Sequence, residues 1–477
     1  MSGEPETRPP ALAWVLGLTA VAALVVALDQ LVVSTALQTI HRDLHASMAG
    51  LEWTVNAFAL SFAALMIPAA ELGDRLGRKR TYLLGLVVFA IASAGCALAP
   101  SIGPLIAARI VQGGGAALIS PAALALLTAA TPAGKRGTVM GIYAAVMGLA
   151  VVGGPVVGGA VTQGLAWQWI FWINVPLIAL VLPFAAAKLP EMKGNPARPD
   201  LLGLALVTAS MLGLVWGLVR SGTAGWGSAE VLGTLIGGLI LLGLFLAWEA
   251  RTAAPMIPLR LFAVREFTAG NTSALLLTAS LFGTVFFLAQ YLQIGLGDSP
   301  LGAGLRFLPW TVPLFFVAPA AGRLQDRIGS RWLIVTGLTL QSLGLLWLAL
   351  TAHRGEGYSA AVPALVIAGF GTSMAMPAQQ SAVMTSLPPA RMSKAAGIFS
   401  STRQLGGALG IAVAAAVFSG SGSDRTPGDF ASGFAAAMVA AAALALAGAL
   451  CGLLAPGRRP APAPSAVVSR KEEVGVS

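Results

Sequence analysis

Charge is scarce in this sequence. Asp, Glu, Lys and Arg together make up 10% of 477 residues, where soluble domains carry about a quarter. That shortage excludes an ordinary water-facing surface. Cysteine is nearly absent as well: Cys96 and Cys451 both lie in apolar runs, where a thiol behaves as a small hydrophobe, so no disulfide framework can be drawn. There are three histidines. His41 and His45 have the i, i+4 spacing of a helical metal pair. They flank Arg42 and Asp43 in an expected loop with no third ligand, which argues against a metal site. No GxxxxGK[ST] phosphate loop, HExxH pair or GxSxG elbow occurs, so nothing points to nucleotide hydrolysis, an enzyme or a cofactor.

What the sequence has in abundance is apolar length. It is 56% hydrophobic, with a mean hydropathy of +0.81. At roughly 20 residues per crossing this is an all-α polytopic membrane protein. Apolar runs fall at about 12–38, 53–73, 81–100, 103–128, 138–162 and 169–188. A polar, proline-containing linker, KLPEMKGNPARPD, follows, and then runs at about 201–219 and 231–248. Beyond a basic loop come runs at about 267–292, 303–321, 332–352, 360–384, 396–419 and 431–455, which makes fourteen. The formal net charge of +10 is spread over short loops rather than one face, so topology explains it better than a nucleic-acid partner. With a cytoplasmic N-terminus most Lys and Arg fall in cytoplasmic loops, the positive-inside pattern, which places both termini inside.

The first apolar run holds one acidic residue, Asp29. A carboxylate inside a spanning helix costs several kcal/mol unless it faces a protein interior, meets a cation or takes up a proton. It lies about nine residues from the outer end of its span, and Arg109 about six residues from the outer end of span 4, roughly 9 Å at the helical rise. Their similar depth predicts that Arg109 and Asp29 face one central cavity, where the guanidinium stabilises the carboxylate as they approach. The loop after span 2, ELGDRLGRKR, is echoed after span 10 by GRLQDRIGSR. Asp74 and Asp326 are 252 positions apart (326 − 74), as expected for a duplicated six-span unit with two spans inserted at the middle.

Several stretches resemble the major facilitator superfamily and, within it, the fourteen-span drug/proton antiporters. GDRLGRKR, with Gly73, Asp74, Arg75, Gly77 and Arg78, is similar to the superfamily's loop motif, although Ala70 stands at its first glycine; Asp326 and Arg327 form the second copy. LIAARIVQGGGAA, carrying Arg109 and Gln112, is similar to the fourth-span motif. GLAVVGGPVVGGA, with Gly148, Gly153, Gly154, Pro155, Gly158 and Gly159, resembles the antiporter signature of span 5. WQWIFWINVP resembles the opening of span 6, with Gln168 in place of arginine. LDQLVVSTALQTI keeps the acid of the span 1 motif as Asp29, but Ser34 replaces an asparagine and Gln38 a proline.

The resemblance implies two six-helix bundles plus two extra central helices, rocking about a site that opens to each side in turn. The expected organisation is a cytoplasmic tail at 1–11, an N-terminal bundle at 12–188, a linker with two helices at 189–266, a C-terminal bundle at 267–456 and a tail at 457–477. The implied function is proton-coupled export of hydrophobic and cationic drugs or antibiotics across the cytoplasmic membrane. Its partners are then protons, a drug-like small molecule and lipid, with one copy sufficing. Asp29 and Arg109 are the proton-coupling candidates. Candidates to line the cavity are Gln30, Asn56, Gln112, Gln290, Tyr291, Gln293, Met376, Gln379, Gln380 and Arg403. A symporter importing a small polar metabolite is the alternative, which the glycine-rich span 5 and scarce intramembrane charge disfavour. A membrane enzyme or sensor would need clustered acids and bases or a soluble output segment, and neither is seen.

Overall fold

A computed structural model describes residues 12–132, 135–192, 200–252, 255–387, 392–423 and 425–455; both expected tails lie outside these ranges. Among the described residues the regular structure is helical, and fourteen stretches are long and apolar enough to cross a membrane. The first six spans are α1 (Leu12–Leu44), α2 (Met48–Leu76), α3 (Arg78–Ala97), α4 (Ile102–Ala130), α5 (Arg136–Gly164), and the broken pair α6 (Trp169–Trp172) and α7 (Asn174–Lys188). Next come α8 (Leu201–Ala224) and α9 (Ala229–Arg251). The second set is α10 (Arg265–Gln290), ending in a π turn at Tyr291–Gly295, then α11 (Pro300–Arg306), α12 (Leu308–Thr311) and α13 (Pro313–Ile328) as one interrupted span. It closes with α14 (Ser330–His353), α15 (Tyr358–Thr385), α16 (Met392–Ser421) and α17 (Pro427–Gly452).

Two of the boundaries that differ from the hydropathy reading bear on the site, both at the end distal to the chain termini. Helix α1 runs on through His41 and Arg42 to Leu44, because basic side chains in a last turn complement its free carbonyls. His41 is therefore helical, with Nδ1 2.5 Å from the Ala46 carbonyl oxygen, while His45 lies past the helix at φ 48°. The two do not share a helical face. Helix α2 begins at Met48 rather than Trp53, since the Ser47 hydroxyl accepts from the Gly50 N–H at 3.2 Å and caps it. Glu52 is thereby drawn inside the helix, where it is 4% exposed.

Helices α1 to α7 pack on one another, as do α10 to α17. The repeat is visible in the backbone. Gly77 (φ 106°) joins α2 to α3, and 252 residues later Gly329 (φ 81°) joins α13 to α14, a left-handed conformation that favours glycine. In α5 a Cβ on Gly154 would sit 2.6 Å from Leu31 Cβ, and one on Gly158 2.5 Å from the Val32 carbonyl oxygen, so α1 lies directly on α5. Gly406 and Gly410 of α16, again 252 residues later, seat α10 in the same way, at Leu275 and Ala279. Small residues at this spacing allow helix backbones to touch where lipid supplies no hydrophobic drive.

The inserted helices pack against each other, Ser210 Oγ donating to the Gly238 carbonyl at 2.8 Å. Val215 and Val219 of α8 share an apolar cluster with Ala59 and Leu60 of α2 and with Ala408 and Ala412 of α16, so α8 covers the seam between the bundles. Helix α9 lies outermost, with 17% of its apolar window buried.

The bundles are locked together at the distal end. A Cβ on Gly159 would meet Leu301 Cα at 2.9 Å, and one on Gly304 would meet Val156 Cα at 3.1 Å. Gln163 Oε1 accepts from the Leu301 N–H at 3.1 Å. Gln38 Nε2 donates to Gln290 Oε1 at 2.9 Å, and Gln293 Nε2 donates to the Thr35 carbonyl at 3.1 Å.

Candidate functional site

The glycines of α4 explain how charge reaches the middle of the N-terminal bundle. A Cβ on Gly113 would lie 2.5 Å from the Phe58 carbonyl, and one on Gly115 2.7 Å from the Phe89 amide nitrogen, so α4 is wedged between α2 and α3. That wedge carries Arg109 and Gln112 to the face of α1. Arg109 Nη1 donates to Asp29 Oδ2 as a buried ion pair and to Gln112 Oε1 at 2.7 Å. Arg109 Nε donates to the Thr54 carbonyl at 3.0 Å. The other carboxylate oxygen, Asp29 Oδ1, accepts from Gln112 Nε2 at 2.8 Å and from Asn174 Nδ2 at 2.9 Å. Ser93 Oγ accepts from Gln112 Nε2 at 2.8 Å. The guanidinium carbon stands 4.3 Å from the Phe58 ring centroid and 5.7 Å from that of Phe171, an arrangement that favours a cation over a ring face.

Asp29 and Arg109 are therefore joined, but not in a cavity between the bundles. They are 2% and 0% exposed, and every hydrogen-bond partner belongs to α1–α4 or α7. A buried pair repays its desolvation only when its remaining hydrogen-bonding capacity is met. Here both carboxylate oxygens are met, so Asp29 has little capacity for a further ligand, while Arg109 Nη2 is left without a partner. Asn174, Ser93 and Thr54 escaped the sequence reading. The signal for Asn174 was a lone amide within the apolar run after Trp172, in the aromatic-rich stretch that resembles the opening of span 6. Of those aromatics Trp167 and Phe171 are fully buried, edge to face at 6.3 Å, whereas Trp169 is 49% exposed.

The remaining candidates are dispersed. Gln290 and Gln293 are spent on the distal contacts to Gln38 and Thr35, and Tyr291 stacks on Phe434 with centroids 4.2 Å apart. Met376 packs with Met374 against the α10–α14–α15 core. Gln379 is buried with Nε2 unpartnered, while Gln380, the next residue, is exposed on another face. Arg403 is half-buried on α16, 5.9 Å from the Phe399 ring centroid, and Gln30 is half-buried beside Asp29. Asn56 is fully buried, and neither its Oδ1 nor its Nδ2 has a partner. Of the span 5 glycines, Gly154 and Gly158 seat α1 and Gly159 seats α11. Gly153 has nothing within 4 Å, and Gly148 only Leu314 at 4.0 Å.

At the terminal end, Arg78 Nε and Nη2 donate to Asp74 Oδ1 at 3.2 and 3.0 Å. Glu191, from the linker, caps α3: its Oε1 accepts from the Lys79 N–H at 3.3 Å, and its Oε2 is 3.6 Å from Arg80 Nε. Gly77 packs on the Glu191 carboxylate. Arg75 and Arg327 are exposed; Asp326 lies on α13 and its side chain is outside the described set. At the distal turn Asp298 Oδ2 lies 2.5 Å from Arg306 Nη1. Burial pushes its carboxyl above the ordinary range, and Arg306 pulls it back. No group of three or more potential metal ligands occurs among the described residues.

The fold matches solved transporters. A bacterial homologue of the human lysosomal transporter Spinster, in an inward-facing and unoccupied conformation, aligns with a TM-score of 0.65 at 18% identity, covering 95% of this chain and 97% of that one. A POT family transporter in complex with a thioalcohol-conjugated peptide aligns with a TM-score of 0.68 at 14% identity, covering 91% and 94%. In sequence, the tetracenomycin C resistance and export protein of Streptomyces glaucescens is 33% identical over 86% of this chain and 77% of its own length. The cephamycin export protein CmcT of Amycolatopsis lactamdurans is 34% identical over 87% of each. The Major Facilitator Superfamily profile matches residues 19–411 and again 271–475, and with fourteen spans, a repeated bundle and these relatives, the chain belongs to the Major Facilitator Superfamily.

Proposed function

We propose that this protein exports hydrophobic and cationic drug-like molecules across the cytoplasmic membrane in exchange for protons, with both termini in the cytoplasm. The observation that carries this reading is the distal seal. Two repeat-related bundles are locked together at one end by glycine-seated helices and uncharged amide pairs, contacts weak enough to break and re-form. A path closed at one end and opened at the other by rocking is how such repeats move cargo. The relatives named for export or resistance supply the direction and the cargo class. The dominance of alanine, leucine and glycine in the spans suits apolar cargo.

Asp29 enters this reading as the anchor of the N-terminal bundle, which keeps α1, α4 and α7 moving as one body. The test uses inside-out vesicles from an efflux-deficient host with and without the protein, across cationic dyes, neutral antibiotics and polar metabolites. Uptake of dyes driven by an acid interior and abolished by nigericin is the expected result. Uptake no greater than in empty vesicles for every class sinks the reading, and proton-driven loss of a preloaded polar metabolite from the vesicles favours the symporter alternative.

A further inference from the structure

Glu52 and Asn56 lie one turn apart on α2, and Ala59 and Ala63 continue the same stripe at the 3–4 residue spacing of a single helix face. All four are buried, at 4%, 0%, 5% and 4% exposure. Ala59 packs in the cluster that includes Ala408 and Ala412 of α16, so the stripe faces the seam between the bundles rather than the interior of either. Glu52 Oε2 and both amide atoms of Asn56 are buried without a hydrogen-bond partner. Three orphaned polar atoms on one seam-facing stripe are unusual, because buried polar groups in folded proteins are nearly always hydrogen-bonded. Glu52 is only four residues from the distal end of α2, about 6 Å of helical rise, level with the distal seal.

Among the described residues no cation neutralises it. Arg109 of α4 is held by Asp29 of α1, and at the end of α1 His41 faces the Ala46 carbonyl while Arg42 and Asp43 are exposed. Arg220 of α8 pairs with Glu230 of α9. On α3, Arg78, Lys79 and Arg80 lie at the opposite end, leaving Cys96, which is tied to Gln112. Arg403 of α16 lies five residues, about 7 Å of rise, to the terminal side of Ala408. A carboxyl enclosed without a cation is held as the neutral acid, whereas one reached by water ionises freely.

We propose that Glu52 is a proton-carrying carboxyl that couples the proton to closure of the distal seal, an inference that rests on the exporter reading above. With the distal side open, water reaches Glu52, which is ionised; taking one proton from that side gives the neutral acid, which the closed seam accepts. After closure the proton passes to water admitted from the terminal side, regenerating the carboxylate. The carboxylate then disfavours the closed seam and biases the cargo-loaded protein toward distal opening. One proton moves inward per outward cargo step, and the seal needs only differential stability of the two Glu52 forms.

The experiment places spin labels at the exposed Leu165, just past the end of α5, and Leu305 of α11, in purified protein in lipid nanodiscs with Cys96 and Cys451 replaced. The inter-label distance is compared at pH 5 and pH 8.5 for the parent and for Glu52→Gln. The parent's distal distance is expected to lengthen at pH 8.5, and Glu52→Gln, a fixed mimic of the neutral acid, to stay short at both. A variant that follows the parent's pH response overturns the proposal, as does a parent with no response. In proteoliposomes at pH 5 on both sides, where the parent's Glu52 is also neutral, Glu52→Gln is expected to keep dye exchange within about threefold of the parent, while under a pH gradient it loses uphill dye accumulation at least tenfold. Retained uphill accumulation overturns the proposal; loss of exchange together with an unchanged pH-dependent distance does so too. A parent that exchanges dye but never accumulates it against a pH gradient defeats the proton-coupled reading itself.

Discussion

The two bundles share a backbone plan but not a core chemistry. In the N-terminal bundle α1 and α4 meet through Asp29, Arg109, Gln112 and Asn174. In the C-terminal bundle the residue 252 positions after Asp29 is Leu281, and the stretch of α15 matching Arg109, Ala361–Ala368, contains no ionisable side chain. The polar contact remaining there is Gln341 Nε2 donating to Ser280 Oγ at 3.0 Å. What the bundles keep in common is glycine: 154 and 158 on one side, 406 and 410 on the other. The helix packing therefore depends on backbone approach, and the ion pair is an addition peculiar to one half.

The largest expected effect comes from making the halves chemically alike one residue at a time. Asp29→Leu leaves Arg109 enclosed without an anion and should cost about 3–5 kcal/mol, read as loss of monodisperse protein after heating in detergent. Adding Arg109→Leu should restore most of the lost stability, because the C-terminal bundle is already built that way. No recovery would mean that the halves do not share a packing plan.

Next in size are Gly158→Val and Gly410→Val, which put side chains where α1 and α10 lie. Each should destabilise by about 1–3 kcal/mol or more, and by similar amounts in the same heating assay if the repeat holds. A large difference between them would break the comparison. Gln38→Leu should follow, at about 1–3 kcal/mol, by leaving Gln290 without its cross-bundle donor; the double change with Gln290→Leu should be nearly neutral. The smallest effect is expected for Gly153→Ala, where no atom lies within 4 Å: a change within about 1 kcal/mol, checked by the same melting curve.

Span number, order and repeat were legible because apolar length and the Asp74/Asp326 echo are local signals. The approach of Asp29 to Arg109 was foreseeable from depth alone. What depth could not give was direction: which face of α1 and α4 looks inward depends on the α4 glycines lodging between Phe58 and Phe89, a three-helix contact. Glu52 was missed for a different reason. Hydropathy opens span 2 at Trp53, whereas the Ser47 cap opens the helix five residues earlier, and a helix cap leaves no trace in a hydropathy average. Gln290 and Gln293 read as ligands for cargo because buried amides need partners, but the partners turned out to be Gln38 and the Thr35 carbonyl of the other bundle.

The bond between Gln38 and Gln290 joins residues 252 positions apart, the same interval that separates the two copies of the repeat. In a symmetric dimer, a residue on the two-fold axis touches its own counterpart, the signature of an isologous interface. A side chain bonded to its own image needs no second surface to evolve alongside it, so such a contact is available as soon as two identical subunits meet. Within this single chain the amide pair marks where the axis relating the two repeats runs.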